Sequence, residues 1–171
     1  MLTIRSEELS LQAIQSPRLR SVYQHWTAIR GARALPARRA VDPLEMRGAL
    51  GILMIARYEP AHDDFRVSLF GTELARLRCG DATGRLIGTL QPPRYAAFVR
   101  QHYRKVMDAG LPSLDRVVLA AGAPLVDYTR LALPLAESGD TAEAVLVAAE
   151  FHKDMWNMLY EAAELSDQAV G

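Results

Sequence analysis

Residues 65–72 read Phe65-Arg66-Val67-Ser68-Leu69-Phe70-Gly71-Thr72, and here a strand pattern gives way to a helical one. Phe65, Val67 and Leu69 alternate with Arg66 and Ser68, the period of two of a half-buried strand. Gly71 closes the run, and residues 72–79 read as two turns of helix. Upstream, the loop 59–64, with Pro60 and the Asp63-Asp64 pair, joins this strand to an apolar run at 52–58, which makes a hairpin. Downstream come a glycine-punctuated loop at 80–90 and then a helix at 92–110, ended by Gly110 with Pro112 beyond it. The helix carries Tyr95, Phe98, Val99, His102, Tyr103, Val106 and Met107 at helical spacing.

Three more strand runs follow, at 115–121, 126–136 and 144–151, separated by Gly122-Ala123-Pro124 and by a loop containing Ser138-Gly139-Asp140. Connections this short require antiparallel neighbours, since parallel ones need crossovers of a dozen or more residues. At the front, Ser16-Pro17 reads as cap and first helical residue of a helix ended by Gly31, with Leu19, Val22, Tyr23, Trp26 and Ile29 on one face. Asp42-Pro43 repeats the cap-plus-proline signal. A last helix at 153–165 has Met155, Trp156, Leu159, Tyr160 and Ala163 on one side. The expected architecture is α+β: five antiparallel strands, a helical crossover between strands two and three, and flanking N- and C-terminal helices. Residues 1–16 read as a loosely docked arm, 17–152 as the domain, and 153–171 as an amphipathic helix and tail.

The chain has 171 residues, half of them apolar by a broad count and 23% charged, enough to bury one sizeable core. Its 20 basic and 20 acidic residues cancel, which lowers nucleic acid among the partner classes. The balance is uneven along the chain: a net +4 over 1–60, +3 over 61–110 and −7 over 111–171, so the tail is expected to attract the rest, within one chain or between two. A single cysteine, Cys79, permits no intrachain disulfide and no cysteine-based zinc cage. The first residues lack the basic then apolar regions of a signal peptide, and no apolar run approaches the roughly 20 residues of a membrane span, so a cytoplasmic location is expected.

The order of elements, together with its local motifs, resembles a PAS domain. Trp26-Thr27-Ala28-Ile29-Arg30-Gly31, then Leu35-Pro36-Ala37-Arg38-Arg39 and Asp42-Pro43-Leu44-Glu45, look like the opening of a bacterial PAS subfamily. Phe65-Arg66 with Gly71-Thr72 resembles that subfamily's FRxxxxGT strand end, and Gly80-Asp81-Ala82-Thr83-Gly84 its GxxxTG loop. The resemblance implies a sensory or regulatory role, homodimerisation, and no catalytic residues. It also implies a ligand cavity between the sheet and the helix at 92–110. Its expected walls are Tyr95, Phe98, His102 and Tyr103 from the helix, Phe65, Val67 and Leu69 from one strand, and Thr129, Leu131 and Leu133 from another. Filling of that space by Phe98, Leu131 and Met107 would instead leave a plain interaction module. PAS domains commonly precede an effector domain, for which 171 residues leave no room, so the output is expected to be a separate protein.

Signatures of nucleotide-binding loops, serine hydrolases and zinc proteases are absent, and no enzyme is expected. His102 reads either as a core histidine or, as in haem-binding PAS proteins, as an axial ligand. No cofactor is expected, haem being the alternative, with a small enzyme using the same cavity beside it. Cys79 lacks the sequence context of the flavin-binding PAS branch and reads as a small buried hydrophobe. His62-Asp63-Asp64 sits where acids favour turns, and no metal site is expected. Arg30, Arg33, Arg38 and Arg39 read as a solvated loop, with Arg30 and Asp42 pairing, or as a seat for an anionic ligand or acidic partner. Trp26, Trp156 and Tyr160 read as intramolecular core or as a dimer stripe.

Overall fold

A computed structural model describes residues 1–78 and 80–168, with side chains described as far as Ala162. Cys79, Ala163 and the acids beyond lie outside the described residues or side chains. Helix α1 (Pro17–Arg30) begins where expected: the Ser16 hydroxyl accepts from the Leu19 amide, Pro17 occupies the first turn, and Gly31 ends it at φ 56°. A 3-10 segment, Pro43–Ile52, starts at Asp42, whose carboxylate accepts from the Leu44 amide. Then come β2 (Leu53–Glu59) and β3 (Asp64–Phe70), the short helix α2 (Thr72–Leu77), the long helix α3 (Pro93–Ala109), β4 (Ser113–Ala121), β5 (Ala123–Ala136), β6 (Ala142–Asp154) and α4 (Trp156–Gln168).

The sheet is antiparallel with six strands in the order β1-β4-β5-β6-β2-β3, β1 being Thr3–Leu9. The sixth strand corrects the reading of residues 1–16 as a loose arm. It pairs along its length with β4, from Thr3 opposite Ala120 to Leu9 opposite Leu114. Its side chains are mostly exposed, so backbone ladder bonds hold it, and an apolar pattern had nothing to report. The last helix starts at Trp156, not 153, because Lys153 and Asp154 still pair with Asp127 and Val126.

Both faces of the sheet's centre are covered. On one, Leu131, Leu133 and Leu135 of β5 and Leu146 of β6 pack against Leu19, Val22 and Trp26 of α1. The Trp26 indole NH donates to the Pro134 carbonyl at 2.9 Å. On the other face, Phe65, Val67, Tyr128, Val145 and Val147 meet Tyr95, Val99, Tyr103 and Val106 of α3, and Trp156 and Leu159 of α4. Trp26 and Trp156 are therefore core residues, almost wholly buried. Among the described residues no helix is long and apolar enough to cross a membrane.

Candidate functional site

The second face encloses a cavity of about 530 Å³, within the range of small-molecule sites. Tyr95, Ala96, Val99 and Tyr103 of α3 form one wall, and Tyr128 and Arg130 of β5 with Val147, Ala149 and Phe151 of β6 form the floor. Met54, Phe70, Leu74 and Arg78 close one side, the loop residues Ala82, Arg85, Ile87 and Gln91 form a rim, and Tyr160 of α4 completes the enclosure.

Of the expected walls, Tyr95 and Tyr103 line this cavity and the others do not. Phe65 and Val67 belong to the same core without reaching the space, and Phe98 packs on that core's flank. Leu131, Leu133 and Leu69 lie on the opposite face, against the core under α1. Thr129 also faces away, its hydroxyl 2.8 Å from His152 Nε2. The errors on the two strands have separate causes. β5 is buried on both sides, so alternation does not say which parity faces α3. In β3 a register shift at Ser68, between the pairs Val67–Ala56 and Leu69–Ile55, moves Leu69 to the far face and brings Phe70 to the cavity.

His102 is also elsewhere. Its Nε2 lies 3.3 Å from the Asp115 carboxylate on β4, outside the cavity. Burial, with Arg130 and Lys105 nearby, lowers the imidazole pKa to about 3, so it is neutral near pH 7. Asp115 is engaged further by the Ser113 hydroxyl at 2.7 Å and by the Ser6 hydroxyl at 3.5 Å.

Arg130 went unnoticed in the sequence, although an arginine between apolar runs at 125–126 and 131–136 was a visible sign. It is 1% exposed and lines the cavity. Its guanidinium stacks over Phe98 at 5.2 Å and near Tyr103 at 5.8 Å. None of its three side-chain nitrogens has a hydrogen-bond partner. Arg78, at the mouth, is different: it lies over Trp156 at 4.4 Å and Tyr95 at 5.0 Å, and donates to the Gln91 carbonyl at 2.7 Å. The Tyr95 and Tyr128 hydroxyls meet at 2.9 Å. Burial raises the Tyr128 and Tyr103 phenols well above their ordinary value, so both keep their protons.

The motif residues build the rim. Arg66 holds Glu59 with Nε and Nη2, at 2.5 and 3.0 Å, and donates from Nη1 to the Gly84 carbonyl at 2.8 Å. Gly84 N donates to Val67 O, and Val67 N donates to Arg85 O, so the 80–90 loop pairs with the edge of β3. Within the loop, Asp81 accepts from the Thr83 amide and hydroxyl, which lowers its pKa. Gly71 leads into Thr72, the first residue of α2, and its amide donates to Leu53 O at 2.7 Å. Arg30 does not pair with Asp42. It lies over the Trp26 ring at 5.3 Å, while Asp42 caps Leu44. Arg38 and Arg57 both bind Glu137, linking the basic front to the acidic third. The side chains of the expected turn triplet have separate partners: His62 meets Glu59, Asp63 meets Tyr58 and Arg104, and Asp64 binds the Gly88 amide.

A search of curated proteins found no match to this sequence. A family model described as PAS domain matches residues 14–148. That span begins just before α1 and ends inside β6, so it takes in β2 to β5 whole, the first half of β6, and every element of the cavity except α4 and the end of β6. With most of its length matched and an antiparallel sheet crossed by helices between β3 and β4, the chain belongs to the PAS domain family.

Proposed function

We propose that this PAS domain senses a small molecule held between the sheet and α3, and that occupancy re-seats α4, altering affinity for a separate effector chain. The carrying observation is the cavity of about 530 Å³ with Tyr160 of α4 among its lining residues. Arg78 couples the two further, since the same guanidinium lines the cavity and stacks on Trp156. A ligand acts as a switch only through different affinities for two states, and a helix that is part of the wall offers that difference. The reading invokes no haem, because His102 faces Asp115 rather than the cavity. The sensory role of the family is general, and fold alone does not name a ligand.

The test uses the neutral fluorescent probe N-phenyl-1-naphthylamine, whose emission rises in apolar surroundings. Saturable binding at about one probe per chain is expected, with slower amide exchange in α4 on binding. Ala149→Phe, which puts a ring into the cavity from β6, is expected to weaken binding at least about tenfold, the loss of roughly 1.4 kcal/mol. Non-saturable binding, or binding unchanged in Ala149→Phe, overturns the cavity as a ligand site. An absorption spectrum of the purified protein with a Soret band overturns the cofactor-free reading.

A further inference from the structure

We infer that the ligand is an organic acid, a carboxylate on an apolar body, and that Arg130 is its anchor; this rests on the cavity reading above. Arg130 is 1% exposed, lines the cavity, and has no hydrogen-bond partner on Nε, Nη1 or Nη2. A guanidinium offers five N–H donors in a planar fork that matches a carboxylate. Burying such a group without a partner is among the more costly arrangements in a protein interior. Stacking on Phe98 and Tyr103 offsets part of that cost but satisfies no N–H.

The acid nearest in register is engaged by other partners. Asp115 stands directly opposite Arg130 in the β4–β5 register, yet its carboxylate accepts from Ser113 and lies beside His102, and no ion pair to Arg130 forms among the described residues. The N–H donors of Arg130 are therefore left to whatever enters the cavity. The rest of the space fits an acid with an apolar body: Val99, Val147, Ala149 and Phe151 supply apolar wall. The Tyr95–Tyr128 hydroxyl pair contains one proton not used between them, a further donor to a carboxylate oxygen. Arg130 is the cavity arginine whose side chain makes no hydrogen bond, and the two oxygens of one carboxylate match its planar fork. Arg78 and Arg85, the other cavity cations, each already donate to a carbonyl.

The test displaces N-phenyl-1-naphthylamine with octanoate, octan-1-ol and octyl phosphate, which share a tail and differ in the head group. A charge-assisted hydrogen-bonded head group predicts that octanoate displaces the probe at about 10- to 100-fold lower concentration than octan-1-ol. Arg130→Met is expected to bring the two within about threefold, and to raise the melting temperature of the ligand-free protein, since an unpaired buried charge is replaced by an apolar side chain of similar length. Equal displacement by octanoate and octan-1-ol in the wild type overturns the inference without any variant, as does a preference that survives Arg130→Met. Stronger displacement by octyl phosphate than by octanoate overturns the carboxylate assignment. If the neutral probe does not bind at all, the cavity reading itself fails and this inference falls with it; if the probe binds and the head group has no effect, only this inference fails.

Discussion

Gly71→Ala is expected to destabilise the domain by far more than a surface methyl should. A β-carbon at Gly71 would stand 2.3 Å from the Gly51 carbonyl oxygen, 2.6 Å from the Gly51 carbonyl carbon and 2.6 Å from the Leu50 oxygen. Even close carbon–oxygen contacts keep about 3.3 Å, so the overlap is about 1 Å, and all three obstacles are backbone. No rotamer change relieves it. The end of β3 must move off the 3-10 segment before β2, and the Gly71 amide is bonded to Leu53 O at 2.7 Å across that junction. Overpacking costs about 1–3 kcal/mol and a lost buried hydrogen bond about 1 kcal/mol, giving roughly 2–4 kcal/mol in a domain whose total stability is of order 5–15 kcal/mol. Urea unfolding followed by tryptophan fluorescence measures this through the largely buried Trp26 and Trp156. With a slope of about 2 kcal/mol per molar urea, the midpoint should fall by about 1–2 M. Gly48→Ala is the control, because a β-carbon there meets nothing within 4 Å, and its midpoint should stay within about 0.3 M of wild type. A Gly71→Ala midpoint as close to wild type as the control's would refute the steric account of this motif glycine.

Two other perturbations probe the frame of the cavity. The His102 pKa is lowered from 6.5 to about 3 in the folded protein, so between those values the unfolded chain binds a proton the folded one does not. The corresponding stability is complete above about pH 6.5 and is lost as pH falls toward 3, by about 2 kcal/mol at pH 5. Urea midpoints at pH 7.5 and pH 5 should show this loss in the wild type and a smaller one in His102→Gln; a wild-type midpoint that rises at pH 5 would mean that Asp115 holds the imidazole charged. Asp64→Ala removes the acceptor of the Gly88 amide at 2.9 Å and so unfastens the rim loop from β3. At about 1–3 kcal/mol for the bond, amide exchange at Gly88 should quicken by about 5- to 150-fold, and unchanged exchange there would show that the Val67–Arg85 bonding holds the loop unaided.

The elements of this fold were legible where the chain states its own punctuation. Ser16-Pro17, Asp42-Pro43, Gly110 and Gly122 set helix starts, a helix end and a turn through backbone chemistry that needs no knowledge of the rest of the molecule. What the sequence could not convey is which side of a strand faces which helix. Strands β5 and β6 are apolar on both faces, so Leu131 and Leu133 were as plausible for the cavity as Tyr128 and Arg130, and only the packing of α1 beneath the sheet separates them. On α3 the apolar positions cover a broad arc. Its buried centre runs through Tyr95, Val99, Tyr103 and Val106, leaving Phe98 on the flank of that core and His102 beside Asp115 of β4. The β1 strand was invisible for the opposite reason, since it contributes mainly backbone bonds at a polar edge.

The residues by which the family is recognisable meet the cavity at its rim, through Gly80 and Ala82, and not at its floor. Gly71 permits the close crossing of β3 over the 3-10 segment; Arg66, through Glu59 and the Gly84 carbonyl, ties the Thr83-Gly84 loop to the sheet edge. These residues fix where a space opens between α3 and the sheet without lining it. The cavity's character comes chiefly from positions outside the motifs, foremost Arg130, whose N–H donors have no partner although Asp115 stands opposite it in register. A scaffold of this kind can keep its rim constant while the floor changes. Membership in the family therefore locates the cavity, and its ligand has to be read from the chemistry of this chain's own strands.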